Sequence, residues 1–312
     1  MIRAGITGGT TREAGEIIKL LINHPDVEIL WVMDPDAEGG LISDFHRGLR
    51  GETYLRFTSA PSDEVDVVFL CSDEPGDSVE FCKSSAVTPQ TRIIDLSGDF
   101  LHLSTFADGD DWIYGLPELC RKPLVRGATK ASVPAPLSSA VLLALTPLAK
   151  DQKLTSDINI TAVIAEENAG PGEVLALIDL EQADDIARAV RSLQPDFKAA
   201  QMKFIVVNGG WRHGISLTVH FATDLTEQAA IDLFNNYYDD HNFTFLSDQM
   251  PNLDEVSGTN KCIINIQKVE DQLVISLVLD DIVKGLSAMA VHDMNLLFGL
   301  QERVGLMLKS QA

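Results

Sequence analysis

The sequence predicts an α/β protein in which a Rossmann-like, doubly wound parallel sheet is followed by a second α+β domain. An apolar strand (Ile2–Thr7), a glycine turn and a helical pattern over residues 13–22 follow one another, and the apolar run Val27–Met33 completes a βαβ unit. The second half instead holds segments that alternate in polarity, as half-buried antiparallel strands do. At 312 residues, the chain has the length of about two domains.

Each half contains further segments with a clear pattern. The first half has buried-strand runs over residues 65–71 and 92–96, with a helix-sized piece over 77–85 between them. In the second half, strands are predicted over 158–165, 203–207, 214–221, 262–267 and 273–279, and helices over 184–193, Glu227–Tyr238 and 287–300.

A helix that is apolar on every side, within residues 131–149, joins the two halves. A helix without a polar face should be buried. Pro136 suits its first turn, because the N–H that proline lacks would have no helical partner there, and Pro147 is expected to end or kink the helix. We therefore predict a Rossmann-like domain over residues 1–134 and 287–312, and an α+β domain of the dimerisation or substrate type over 135–286.

Composition narrows the range of partners. The chain has 24 basic and 46 acidic residues, a net charge of −22, which disfavours nucleic acid and anionic membranes and favours small molecules or proteins. The four cysteines show no paired spacing, so neither a metal site nor a redox motif is predicted, and a cytoplasmic location is expected. No apolar run approaches the roughly 18 residues of a membrane span, and the first residues read as a strand rather than a signal peptide.

The glycine turn after the first strand lies where a Rossmann domain holds a dinucleotide. Its spacing departs from G-x-G-x-x-G, because Thr11 has a Cβ where bare backbone would let a phosphate approach. The positive end of the helix would attract phosphates, but Glu13 and Glu16 place carboxylates there. Arg12 offsets their negative charge in part. The residues expected to contact a dinucleotide, if one binds, are Gly8, Gly9, Thr10, Thr11, Arg12, Asp34 and Ser97.

Asp34 at the end of the second strand bears on the choice of cofactor. Its carboxylate could accept hydrogen bonds from a ribose 2′-hydroxyl and would repel a 2′-phosphate, so NAD is favoured over NADP. The alternative is that the pair Asp34–Pro35 only initiates a turn.

Several residues of the first half and the bridging helix could supply a nucleophile, and each also has a structural interpretation. Cys71 ends an apolar strand and Cys120 follows the YGLPEL segment, but small thiols are commonly core residues. Ser138 and Ser139 open the bridging helix, where serines commonly bond local backbone groups.

The second half offers polar candidates of the same ambiguous kind. His213 and His220 could share a strand, which would put them on opposite faces, so they form no metal site by themselves. The pairs Glu166–Glu167 and Asp280–Asp281 could meet a cation or be solvated loop carboxylates. The pair Trp211–Arg212 could form the lip of a ligand site or belong to a surface hairpin.

Five segments, in family order, carry a resemblance to a known family: ITGGTTREAGEIIKLLINHPDVEI, IIDLSGDF, YGLPEL, the bridging helix and KGLSAMAVHDMNLLFGL. The chain resembles N-acetyl-γ-glutamyl-phosphate reductase from end to end, a family that is similar to aspartate-semialdehyde dehydrogenase. The resemblance implies a Rossmann domain, an α+β domain that dimerises and a C-terminal helix that returns to the first domain. It also implies reduction of an acyl phosphate with NADPH through a cysteine thioester, assisted by a histidine.

The positions that carry this chemistry in the family are replaced here. Pro136 falls on the thiol position of the family's Asn-Pro-Gly-Cys-Tyr, and Gln182, which cannot act as a base, falls nearest to the histidine. Other anion-binding or cofactor positions fall on Pro75, Leu101, His213 and Ala288–Met289. The packing and turn positions that fit the family include Gly115, Pro117, Gly285 and Asn295.

Two functions from different classes remain open. The first is a non-catalytic homologue that binds a small ligand or a protein partner. The second is an active NAD(P)-dependent oxidoreductase that acts on an N-acyl-γ-glutamyl phosphate or a related substrate by altered chemistry. The resemblance of the second domain implies a homo-oligomer, either a dimer or a tetramer, or hetero-association with an active reductase of the same cell.

Overall fold

The computed structural model describes residues 1–166, 170–175 and 180–310. They form two compact units. The first contains Met1–Pro134 and Leu286–Met307, and the second contains Ala135–Gly285 with the last described residues after Met307.

The described residues form thirteen strands and eight α-helices. The strands are β1 (Ile2–Thr7), β2 (Val27–Met33), β3 (Phe57–Thr58), β4 (Val67–Leu70), β5 (Arg92–Asp95), β6 (Trp112–Tyr114), β7 (Lys130–Ser132), β8 (Ile158–Ile164), β9 (Met202–Asn208), β10 (Ile215–Ala222), β11 (Thr244–Leu246), β12 (Cys262–Val269) and β13 (Gln272–Leu279). The helices are α1 (Arg12–Leu21), α2 (Ile42–Phe45), α3 (Asp77–Phe81), α4 (Pro117–Val125), α5 (Pro136–Lys150), α6 (Leu180–Arg191), α7 (Glu227–Tyr238) and α8 (Ala288–Leu297).

The first unit is built on a parallel sheet of seven strands in the order β3-β2-β1-β4-β5-β7-β6. The predicted α/β class and the βαβ unit are confirmed. Strand β4 is buried along its whole length, as expected for a parallel strand covered on both faces. The order reverses between β1 and β4, which makes the carboxyl ends of these strands the switch point where open α/β sheets bind ligands.

Helices α1 and α8 pack against each other in the first unit, and α8 also packs against α4 and β5. Thr11 is the N-cap of α1, where its hydroxyl accepts the Ala14 N–H at 3.2 Å, and this bond stabilises the first turn. Every residue of α8 is buried, so its apolar composition is explained by packing on all sides.

The second unit holds a mixed sheet of six strands in the order β11-β12-β13-β10-β8-β9. Helices α5 and α7 cover one face, because α5 packs on β10 and β13 while α7 packs on β11 and β12. Along β10 the alternating residues Ser216, Thr218 and His220 are only half-buried, which leaves the other face of the sheet open in this unit.

Helix α5 is buried from Leu137 to Ala149, as predicted, but Pro147 does not end it. The helix continues to Lys150. A proline at this position removes the hydrogen bond to the carbonyl four residues earlier, that of Leu143. The hydroxyl of Tyr238, on α7, donates to this carbonyl at 2.6 Å, so the acceptor that proline leaves is satisfied by the neighbouring helix.

The structure excludes two possibilities that the sequence left open for the second unit. Strands β9 and β10 lie on opposite sides of β8, so the loop around Trp211 is a crossover connection and not a hairpin. His213 precedes β10 and therefore does not share a strand with His220. Polarity alternation locates strands, but it does not say which of them are neighbours and does not fix the residue at which a strand begins.

None of the helices in the described part of the chain combines the length and apolarity that crossing a bilayer requires.

Candidate ligand site at the carboxyl edge of the first sheet

A cavity of about 470 Å³ lies in the first unit where β1, β2 and β4 end. This volume falls in the range of small-molecule pockets. Both apolar and polar residues line the cavity, and α3 forms part of its wall. The lining residues are Thr7, Gly8, Met33, Asp34, Pro35, Ser72, Asp77, Glu80, Phe81, Lys83 and Ser84.

The cavity contains two of the seven residues predicted to contact a dinucleotide, Gly8 and Asp34. The remaining five, Gly9, Thr10, Thr11, Arg12 and Ser97, are not among its lining residues. Thr7 and the residues from α3 were missed by sequence reasoning. The position of Thr7 at the end of the first strand was the available signal, since ligands bind at such strand ends.

The glycines of the turn are required by packing within the protein. Gly8 has φ of +62°, and a Cβ there would lie 2.6 Å from the backbone carbon of Cys71. A Cβ on Gly9 would lie 2.6 Å from a methyl carbon of Val32, and one on Gly15 would lie 2.5 Å from the ring of His46. These glycines therefore allow close approach of protein atoms, which does not by itself indicate a phosphate site.

Three backbone N–H groups of the turn donate to acceptors within the protein. The N–H of Gly9 donates to Met33 O at 3.0 Å, that of Thr11 donates to Gly8 O at 2.9 Å, and that of Thr10 donates to Asp34 Oδ2 at 3.0 Å. A pyrophosphate in a Rossmann site needs such donors, and here it would also meet the Asp34 carboxylate. These three N–H groups are therefore already engaged within the protein and are not available to a pyrophosphate in this structure.

The side chain of Asp34 stabilises the glycine turn through one of its two carboxylate oxygens. Its Oδ2 also accepts the hydroxyl of Thr10 at 2.6 Å, whereas no hydrogen bond to Oδ1 occurs among the residues that the structure describes. The turn-initiator interpretation also applies, because the N–H of Ala37 donates to Asp34 O at 3.2 Å in the turn that starts with Pro35. The side chain of Asp34 thus serves the glycine turn while its backbone starts the next one.

Ser97 is bonded to the buried carboxylate of Asp95, at the end of β5. The Ser97 hydroxyl and N–H donate to Oδ1 at 2.5 and 3.0 Å, and the Ser132 hydroxyl and Phe100 N–H donate to Oδ2 at 2.7 and 3.1 Å. Burial raises the pKa of Asp95, although these four hydrogen bonds act in the opposite direction. In this geometry Ser97 holds the IIDLSGDF segment in place.

The thiols of the first unit are poor nucleophiles. Cys71 is buried, and burial, followed by the charge of Glu13, raises the pKa of its thiol well above the usual value. Cys120 is fully buried. Burial also raises the pKa of the half-buried Cys82 to about 11. Because the thiolate is the reactive form, these sites favour inert cysteines.

Pro136, at the family thiol position, is the first residue of α5 in the second unit. A Cβ on Gly285 would lie 2.8 Å from Pro136 Cβ, so the proline ring is packed against a glycine that has no room for a side chain. Ser138 and Ser139 are buried, and the hydroxyl of Ser139 donates to Ala135 O at 3.2 Å, as the structural interpretation predicted. Gln182 lies in the first turn of α6 and is half-buried.

The structure describes only part of the two acidic pairs that the sequence singled out, Glu166–Glu167 and Asp280–Asp281. Asp280 is buried, and its carboxylate accepts the N–H groups of Gly258, Ile282 and Val283 at 2.8 to 3.1 Å, so the expectation of a solvated loop carboxylate was wrong for this residue. Its role is to hold together the loops at the end of β13. Glu167 lies outside the described residues. No cluster that could hold a metal ion occurs in the described ranges.

A second cavity, of about 670 Å³, lies within the second unit at one end of β10. Trp211, Arg212 and His213 line it together with Ser216 and residues of the segment 250–257. This placement agrees with the interpretation that Trp211 and Arg212 form the lip of a ligand site. The alternative, a surface hairpin, is excluded by the order of the strands.

Comparison with known proteins gives the family. A protein named N-acetyl-gamma-glutamyl-phosphate reductase from Parabacteroides distasonis is 37% identical over 327 aligned positions, covering 100% of both chains. One of the same name from Azobacteroides pseudotrichonymphae is 38% identical over 324 positions with the same coverage. The chain belongs to the N-acetyl-γ-glutamyl-phosphate reductase family. The resemblance drawn from the five segments is thereby confirmed.

Two family models match separate parts of this member of the N-acetyl-γ-glutamyl-phosphate reductase family. Residues 3–126 match the semialdehyde dehydrogenase NAD binding domain, and residues 181–281 match the semialdehyde dehydrogenase dimerisation domain. Among solved structures, aspartate semialdehyde dehydrogenase II from Vibrio cholerae is similar with a TM-score of 0.73 and 14% identity, covering 96% of this chain and 99% of that one. This similarity confirms the fold of the family.

Proposed function

We propose that this member of the N-acetyl-γ-glutamyl-phosphate reductase family does not carry out a thiol-dependent reduction and acts as a binding protein for a small ligand or a protein partner. The observation that supports this most directly is Pro136. It stands at the position that the resemblance assigns to the nucleophile, and its ring is packed against Gly285. A proline side chain has no group that can form an acyl intermediate.

The other candidate nucleophiles do not replace the missing thiol. The hydroxyl of Ser139 is bonded to the backbone of its own helix, and Ser138 is buried one residue before it. Cys71 is buried with the pKa of its thiol raised, and Cys120 is fully buried, so neither has the exposure that a catalytic cysteine needs. Gln182 cannot serve as the general base that would activate a hydroxyl group.

Self-association through the second unit belongs to the same proposal. Its match to a dimerisation domain and the open face of its sheet both support a homo-oligomer. A narrower form of the proposal is hetero-association with an active reductase, in which this chain contributes binding surfaces and the partner contributes catalysis. Co-expression of the two chains followed by size-exclusion chromatography tests it, and a strict homo-oligomer would count against the mixed assembly.

The proposed lack of catalysis is tested by assaying the purified full chain. The reverse reaction, with N-acetylglutamate semialdehyde, phosphate and either NAD or NADP, should give no increase in reduced nicotinamide. An active family member serves as the positive control. Turnover that disappears when Ser139 or Cys71 is replaced by alanine would overturn the proposal and support an oxidoreductase with altered chemistry.

A further inference from the structure

We propose that the first unit binds the first unit of a second copy of this chain, through an exposed surface at the β3 edge of its sheet. This inference goes beyond the proposed function, because the contact is separate from the second unit and does not depend on whether the chain is catalytic. We call this surface the edge patch. All six of its residues are exposed: Asp44, Phe45, Arg47, Arg50, Glu52 and Tyr54.

The edge patch lies on the connection between β2 and β3. Strand β3 is the outermost strand of the seven-stranded sheet and has only two residues. The connection covers its outer side, because the Phe57 N–H donates to Gly40 O at 3.0 Å and the Gly39 N–H donates to Phe57 O at 2.9 Å. A covered edge does not offer backbone groups to another strand, so a contact at this place must use side chains.

The connection is anchored to the core of the first unit beneath the patch. Leu49 is buried, and the rings of Phe45 and Phe57 meet edge to face with 6.0 Å between their centroids. His46 Nε2 lies 2.7 Å from Gly9 O, which ties the connection to the glycine turn. A surface that is ordered before binding loses less conformational entropy when it forms a contact.

The residue types of the edge patch are those of protein contact surfaces. The side chain of Tyr54 is 86% exposed and that of Phe45 is 57% exposed, so two aromatic rings face solvent on one connection. Arg47 and Arg50 are exposed beside them in the sequence. Tyrosine, phenylalanine and arginine are enriched at interfaces between proteins, and tyrosine and arginine are among the residues that contribute most to binding.

The charges of the edge patch complement one another across a two-fold axis. Two are positive and two are negative, and none forms an ion pair within the residues that the structure describes. They are Asp44, Arg47, Arg50 and Glu52. In a two-fold contact, the same surface of both copies is used and each pair of contacts occurs twice. Arginines of one copy can therefore face carboxylates of the other.

The charge of the whole chain favours a second copy over a polyanion as the occupant. The net charge is −22, so nucleic acid or an anionic membrane would be repelled by the chain and by the carboxylates of the patch itself. A two-fold contact also closes after one copy has been added, whereas a contact between two different surfaces can continue into a filament.

Sedimentation velocity of the full chain and of two charge variants tests the contact. Arg47→Glu combined with Arg50→Glu makes the patch mainly negative, and Asp44→Lys combined with Glu52→Lys makes it positive. Each variant alone should bind itself at least about tenfold more weakly, because like charges face each other, and its assembly should have half the mass of the wild-type assembly. An equimolar mixture of the two variants should regain the wild-type mass, since opposite charges then meet.

Matched controls separate the patch from the charge of the chain. Lys19→Glu combined with Lys122→Glu changes the net charge by the same amount as the arginine variant, at exposed positions of the first unit outside the patch, and should keep the wild-type mass. Tyr54→Ala should weaken the association about tenfold, and Tyr54→Phe, which keeps the ring, should weaken it less. Circular dichroism checks that every variant is folded.

The outcomes separate this inference from the proposed function. A wild-type mass in both charge variants would overturn the edge patch and leave the proposed association through the second unit in place. A loss of mass that the mixture does not restore would overturn a second copy as the occupant. Halving and recovery of the mass in a preparation that shows reductase turnover would support the edge patch and reject the non-catalytic proposal.

Discussion

Thr10 donates twice to one oxygen of Asp34, through its hydroxyl at 2.6 Å and its backbone N–H at 3.0 Å. These two bonds connect the glycine turn after β1 to the end of β2, and they occupy a backbone donor that a Rossmann turn would otherwise offer to a phosphate. The Asp34 side chain, which follows the neighbouring strand β2, therefore occupies a position at the turn where a phosphate would otherwise bind.

Replacing Thr10 with valine should destabilise the first unit. The substitution keeps the shape but removes the hydroxyl bond to a charged acceptor, which is worth about 1 kcal/mol at a partly exposed site. Urea unfolding followed by circular dichroism should show a lower midpoint with an unchanged slope. Thr10→Ser, which keeps the hydroxyl, is the matched control, and equal midpoints for valine and the wild type would contradict this role of the hydroxyl.

Gly8→Ala should be much more damaging than Gly39→Ala. Both glycines have positive φ, +62° and +75°, so each substitution carries roughly 1–2 kcal/mol of backbone strain. At Gly8 the new Cβ would also lie 2.6 Å from backbone atoms that cannot rotate away, whereas nothing lies within 4 Å at Gly39. Such overpacking typically adds 1–3 kcal/mol.

Equilibrium unfolding of the two glycine variants measures this difference directly. Gly39→Ala should fold with a modest loss of stability, and Gly8→Ala should lose at least about 2 kcal/mol or fail to accumulate as folded protein. Equal losses would mean that backbone conformation alone determines the choice of glycine in the turn.

The strands that sequence reasoning identified are those with enough residues to show a pattern. Strands β1, β2 and β4 are apolar runs because parallel strands are buried on both faces, and all were expected. Strands β3, β6 and β7 were not, since they have only two or three residues each. A segment of that length becomes a strand through its neighbours in the sheet and carries no periodicity of its own.

The candidate site was predictable in place but not in chemistry. The order of strand, glycine turn and helix located it at the edge of the sheet, and Asp34 was recognised as the polar residue at the end of β2. The partnerless hydroxyl of Thr7 and the contribution of α3 depend on atoms far apart in sequence. For the same reason Asp280 was expected in solvent, although three backbone donors surround it.

Acid should weaken the first unit through His24. This buried residue accepts the Asp26 N–H at Nδ1 (3.2 Å), and its Nε2 lies 3.1 Å from the Asn295 side-chain oxygen. Nδ1 therefore acts as an acceptor and is not protonated. Burial lowers the pKa of His24, against the hydrogen bond to Asn295 and the charge of Asp26.

The sign of the effect follows from where the proton binds. Below the ordinary histidine pKa of about 6.5, the unfolded chain takes up a proton that the folded chain resists, so the free energy of unfolding falls as the pH decreases. Urea unfolding at pH 7.5 and 5.5 should show a larger loss for the wild type than for His24→Gln, which keeps an acceptor and a donor but does not titrate. Replacing the exposed His102 with glutamine should leave the wild-type loss intact, and equal losses in His24→Gln and the wild type would remove His24 as the cause.

Pro136→Cys should create a reactive thiol without creating a reductase. The substitution returns a cysteine to the first turn of α5, where the helix dipole favours the thiolate and the side chain is half-buried. We expect reaction with a disulfide reagent at least about tenfold faster than that of the native Cys82, whose pKa is raised to about 11. Turnover should remain undetectable in the same preparation, because Gln182 supplies no base and the N–H groups of Gly9, Thr10 and Thr11 already donate within the protein. Detectable reduction by Pro136→Cys would show instead that the thiol is the single missing part of an otherwise competent site, and Pro136→Ala is the control for a change of backbone alone.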